Sequence, residues 1–171
     1  MPGNLHHAEE YLRQELGPAA LGTVESQEAV GRLGSEDPNS GHPAGLPVEF
    51  VTTVEDAVRE ADLAIDCVPD ELESKLEILW LMDRMAPPRT VFATPTTRLS
   101  IADLAGCTYR ADQCVGIAVD PRDFSHIALA GAGLPLVLQT TDRTTPQTLK
   151  LVQTFWERLG IGVDVECVSN L

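Results

Sequence analysis

Apolar positions along the chain change period several times. Over residues 5–16, Leu5, Ala8, Leu12 and Leu16 fall at helical spacing, and Gly17-Pro18 stops that helix. Residues 24–33 predict a second short helix, and residues 34–47 (GSEDPNSGHPAGLP) are a long loop rich in Gly, Pro, Ser and Asn. Beyond the loop the pattern becomes regular. Val48–Thr52 alternates like a strand, and Thr53 is an N-cap for a helix to Ala61 with Glu55 and Asp56 in its first turn. Leu63–Val68 is a mostly apolar strand. Asp70–Met85 is a long helix whose Leu72, Leu76, Leu79 and Trp80 form one face, ended by Pro87-Pro88. Thr90–Thr94, Gln113–Val119, Leu134–Gln139 and Gly162–Val168 predict further strands. Ser100–Ala105 and Thr145–Leu159 predict helices, the second closed by Gly160. Strands alternating with helices imply an α/β fold with a mostly parallel sheet flanked by helices. Residues 1–47 stand apart as a helical segment and loop, and residues 48–171 form the core.

Composition narrows the function classes. The 171 residues are 43% hydrophobic and 22% charged, an ordinary globular mix. The net charge is −14, and 17 of the acids against 4 of the bases fall in residues 1–80. Such acidity repels phosphates, which argues against nucleic acid and anionic membrane surfaces as partners. No stretch approaches the ~20 apolar residues of a spanning helix, and the N-terminus lacks a secretory pattern. A cytoplasmic protein with reduced thiols is expected. Cys67, Cys114 and Cys167 lie in apolar runs, where cysteine ordinarily behaves as a small buried hydrophobe. No cysteine pair has C-x-x-C spacing, and His6, His7 and His42 lack a metal-ligand pattern, so no metal site is predicted.

Three stretches then carry a resemblance: FVTTVEDAVREADLAIDCVPDELESKLEILWLMDRMAPPRTVFATPTTRLSI, YRADQCVGIAVDP and LPLVLQTTDRTTPQTLKLVQTFWERLG. In this order they resemble the NAD-binding domain of the 3-hydroxyacyl-CoA dehydrogenase family. The matching family strings are an A-D-L-V-I-E-A-V-P-E strand end, an A-S-N-T-S-S-L-S-I strand and turn, G-L-H-F-F-N-P, L-V-E-V, and a T-x-x-T helix ending L-G-K. The resemblance implies a Rossmann-like fold. In that family, however, a first β-α-β unit with a G-x-G-x-x-G turn binds the dinucleotide pyrophosphate. No G-x-G-x-x-G occurs here; Gly131-Ala132-Gly133 precedes a strand rather than a helix. The expectation is therefore a truncated Rossmann-like domain lacking the first β-α-β unit and the helical domain that follows in the family.

Carried over residue by residue, the resemblance puts Ala118 at the family's catalytic His and Leu138 at the Glu that orients it. Neither side chain accepts a proton. The N-T-S-S turn becomes Pro95-Thr96-Thr97-Arg98, in which Thr97 keeps a hydroxyl as a candidate catalytic group. Asp70 and Lys75 match an acid and a lysine near the nicotinamide ribose and are candidate cofactor contacts. They also read as an i, i+5 pair at a helix start, with Asp70 serving the first turn. Asp120, Arg122, Asp123 and His126 follow a strand end, and Asp123 with His126 is a candidate acid–base pair or simply part of a solvated loop.

Three functions follow. One is a non-catalytic relative, a binding or assembly module with no cofactor expected. Its open Leu63–Val68 edge would be covered by the Val48–Thr52 strand, or by a homo-oligomer or protein partner. The second is an NAD-dependent oxidoreductase of the family type, or one piece of a split one, with NAD bound only if another chain supplies the glycine loop. The third is a different enzyme, an isomerase or hydrolase of a small acyl or polyketide-like ligand, using Thr96, Thr97, Asp123 and His126.

Overall fold

A computed structural model describes residues 50–123 and 135–168. From Thr53 onward the chain forms one compact unit. Its order is α1 (Val54–Val58), β1 (Leu63–Ile65), α2 (Leu72–Met85), β2 (Val91–Pro95), α3 (Ile101–Gly106), a 3-10 turn (Ala111–Gln113), β3 (Cys114–Ile117), β4 (Leu136–Thr140), α4 (Pro146–Arg158) and β5 (Val163–Cys167). The strands make one sheet in the order β1-β2-β3-β4-β5. β1, β2 and β3 are parallel, β4 runs antiparallel to β3, and β5 is parallel to β4. The mostly parallel Rossmann-like sheet expected from the sequence is thus present, with one reversed neighbour.

Local chemistry accounts for the helix ends. Thr53, Ser100 and Thr145 each accept a backbone N–H three residues on. Gly160, at φ 78°, turns the chain after α4 into β5. β2 is buried at all five positions because its alternate residues feed two cores. Phe92 joins Ala64, Leu79, Met82, Leu104 and Cys114 on the face covered by α2 and α3. Val91 and Ala93 join Val115, Ile117, Leu136, Leu138, Val152 and Trp156 on the face covered by α4.

Three expectations need correction. Phe50–Thr52, the described part of the predicted Val48–Thr52 strand, is not in a strand. Leu72 and Trp80 are exposed; the inner face of α2 is Lys75, Leu79 and Met82, spaced i, i+4, i+7. Trp80 instead lies under the Arg84 guanidinium, 4.5 Å from its ring centroid. Cys67 and Cys167 are exposed, and only Cys114 behaves as a buried hydrophobe, its thiol pushed up to about 11 by burial. Residues 1–49, with the two N-terminal helices, the loop, and His6, His7 and His42, lie outside the described residues.

Candidate functional site at the carboxyl edge of the sheet

The carboxyl ends of parallel strands are where open α/β sheets receive ligands. At the end of β1 the Asp66 N–H donates to Ala93 O at 3.3 Å, which continues the β1–β2 register and sets Asp66 beside Thr94. Asp66 therefore shares a face with Ala64 and Phe92, the face covered by α2. Lys75 opens the inner stripe of α2 and reaches the same spot. Its Nζ donates to Asp66 Oδ1 at 2.6 Å, with both side chains fully buried. Asp66 Oδ2 and Thr94 Oγ1 have no hydrogen-bond partner among the described residues.

Asp70 sits in the turn between β1 and α2. It neither caps α2, whose N-cap is Glu71, nor pairs with Lys75 as an i, i+5 couple, because Asp66 holds the lysine. It accepts instead from the Thr96 hydroxyl at 2.6 Å and from the Thr97 and Arg98 backbone N–H groups at 3.0 and 3.2 Å. Arg98 Nη2 closes the arrangement by donating to Asp70 O at 2.6 Å. Burial alone pushes the Asp70 carboxyl up. The Thr96 hydroxyl, the two amides and the nearby Lys75 charge outweigh that and hold it below the ordinary carboxylate value. Asp70 thus staples the loop after β2 to the loop after β1. Thr97, the candidate hydroxyl, is exposed and joins the cluster only through its backbone.

At the β3–β4 edge the chemistry is different. Ala118 is exposed and donates its N–H to Val137 O at 2.9 Å. The register pairs Ile117 with Leu138, so Leu138 points with Ile117 into the α4-side core, where it is fully buried. Leu138 therefore lies on the opposite face from Ala118, and the residue opposite Ala118 is the half-buried Val137. Leu138, which the resemblance places at the family's orienting Glu, thus does not stand across from Ala118. Of the other candidates, Asp123 is exposed and its N–H donates to Asp120 O at 2.9 Å, while His126 lies outside the described residues. No group of three or more His, Cys, Asp or Glu suited to a metal occurs among the described residues.

Asp66 and Thr94 were not singled out from the sequence. The available signal was the acid inside the apolar run LAIDCV, which requires a buried counter-charge.

The pattern of the family described as 3-hydroxyacyl-CoA dehydrogenase, NAD binding domain, matches residues 19–165. The chain is 32% identical over 70 residues to a probable 3-hydroxybutyryl-CoA dehydrogenase of Bacillus subtilis, covering 41% of this chain and 24% of that protein. It is 28% identical over 131 residues to the mitochondrial hydroxyacyl-coenzyme A dehydrogenase of Sus scrofa, covering 74% of this chain and 39% of that one. The crystal structure of (S)-3-hydroxybutyryl-CoA dehydrogenase from Ralstonia eutropha superposes with a TM-score of 0.58 at 23% identity, over 70% of this chain and 39% of that one, and shares its fold. The chain thus spans well under half the length of these relatives. By the extent of the family match and the Rossmann-like sheet that underlies it, this chain belongs to the 3-hydroxyacyl-CoA dehydrogenase NAD-binding domain family.

Proposed function

We propose that this chain is a divergent, non-catalytic member of its family, a binding or assembly module that works without dinucleotide. The observation that carries this reading is the β3–β4 edge. Where the family resemblance puts a proton-accepting histidine there is the exposed Ala118, and opposite it stands Val137. Neither can take a proton from a hydroxyl, the step that a hydroxyl-oxidising site assigns to its base.

The charge and pairing of the described residues around the β1–α2 turn also support the reading without dinucleotide. Asp70, Glu71 and Glu73 at the β1–α2 turn and the start of α2 give this end of the sheet an acidic setting that disfavours an anionic cofactor. Lys75 is fully buried on Asp66, and both Asp70 oxygens accept bonds from the neighbouring loop. Titration of the full chain with NADH, followed by fluorescence and calorimetry, is expected to show no saturable binding into the millimolar range. Micromolar affinity would sink this reading.

An assembly role draws support from β1, the outermost strand on its side among the described residues. Asp62 O and the Asp66 N–H bond to β2, so by strand alternation the Leu63 and Ile65 backbone groups point away from it. Outward groups of that kind invite another strand. A homo-oligomer or a protein partner that completes the sheet is the expected occupant, and light scattering should report a mass above that of one chain. A cytoplasmic, reducing setting accords with the four free thiols, three of them exposed.

The second reading is an NAD-dependent oxidoreductase of the family type, with the glycine loop supplied by another polypeptide. It is favoured by the family match and by the presence of Asp70 and Lys75 at positions resembling cofactor contacts. Dehydrogenase activity on a 3-hydroxyacyl thioester, appearing only when a second polypeptide is added, would replace the first reading with this one.

A further inference from the structure

We propose that Asp66 Oδ2 and Thr94 Oγ1 together bind a single internal water molecule, which completes the Lys75–Asp66 ion pair. Asp66 and Thr94 are 4% and 2% exposed, and among the described residues Asp66 Oδ2 and Thr94 Oγ1 have no hydrogen-bond partner. The β1–β2 register runs Ile65 to Ala93, so the next positions, 66 and 94, stand side by side on one face. Neighbouring strands lie about 4.8 Å apart. Side chains on neighbouring strands at that spacing can share one water through two hydrogen bonds of about 2.8 Å.

The chemistry is complementary. A buried carboxylate oxygen requires a donor, and leaving it bare carries a large desolvation cost. A threonine hydroxyl can donate or accept, and a water offers two protons and two lone pairs. A water between them donates to Asp66 Oδ2 and accepts the Thr94 hydroxyl proton, leaving its other proton and lone pair for the surrounding polar atoms. Lys75 then compensates one carboxylate oxygen and the water the other. Buried waters with two or more polar partners are regular parts of protein interiors. The water also closes the pair to outside ligands, so the lysine acts as an internal counter-ion rather than a surface cation.

The test is a high-resolution crystal structure of the full chain and of Thr94→Ser and Thr94→Val, with melting curves of all three. An ordered water within hydrogen-bond distance of both oxygens is expected in the wild type and in Thr94→Ser. Its loss in Thr94→Val, with a melting point several degrees below that of Thr94→Ser, completes the expected result. The proposal is overturned by a wild-type structure with no water there, by a direct Thr94–Asp66 bond, or by a water that persists unchanged in Thr94→Val. Should Thr94→Val fail to fold, the wild-type and Thr94→Ser structures decide alone.

Discussion

The two halves of the carboxyl edge of one sheet have opposite character. Beyond β1 and β2, charge is buried and internally matched, with Lys75 on Asp66 and Asp70 on the 96–98 loop. Beside them, where β3 meets β4, Ala118 and Val137 face each other and Leu138 fills an apolar core. Both halves lie where this fold class presents ligands. In the first half the ionic groups have become framework; in the second the polar groups of the family pattern are absent. One half uses its polar chemistry for structure, and the other carries apolar residues in its place.

The largest expected effect tests the claim that the ionic half is framework. Lys75→Met leaves the Asp66 carboxylate buried without its counter-charge and should cost about 3–5 kcal/mol in urea unfolding. The double variant Asp66→Leu, Lys75→Met should recover most of that loss, because an apolar pair carries no desolvation penalty. A stable single variant would show that the lysine is dispensable and the contrast between the halves false.

The apolar half is sharpened by placing a carboxylate on either face of β4. Leu138→Glu puts it in the α4-side core and should cost about 3 kcal/mol. Val137→Glu combined with Ala118→His places an acid and an imidazole across from one another at a half-exposed edge and should cost under about 1 kcal/mol. The opposite order of stabilities would reverse the facing of Val137 and Leu138.

The smallest effect concerns Asp70 and is read against pH. Its carboxyl is held below the ordinary value in the folded chain, so the folded state favours the ionised form. The resulting stabilisation is complete above the unfolded value near 4 and is lost as pH falls through the lower folded value. At neutral pH Asp70→Asn should cost about 1–2 kcal/mol. The gap between wild type and variant should narrow in acid below about pH 4. A gap that stays constant down to pH 2 would mean that the carboxylate charge does not drive the loop staple.

Much of this architecture was legible beforehand because its signals are local. Thr53 caps α1 as its spacing from Glu55 and Asp56 suggests, and Gly160 closes α4. The buried β2 reads directly from its apolar run. The inner face of α2 was misread for an equally physical reason. Apolar periodicity selects Leu72 and Trp80, whereas the sheet selects the residue whose charge it can match, Lys75. Likewise, Asp70 and Lys75 were recognised as important, but pairing them by sequence proximity missed Asp66, which is nearer in space.

From Thr53 onward the sequence by itself determined the order and type of the described helices and strands, and it also determined the family and the absence of a histidine at position 118, since these depend on residue identity and short-range spacing. Tertiary structure alone decided which residues oppose one another. Strand register made Val137, not Leu138, the neighbour of Ala118, and set Asp66, which Lys75 holds, beside Thr94. A one-residue change of register exchanges the two faces of a strand, and only the packed sheet fixes that register.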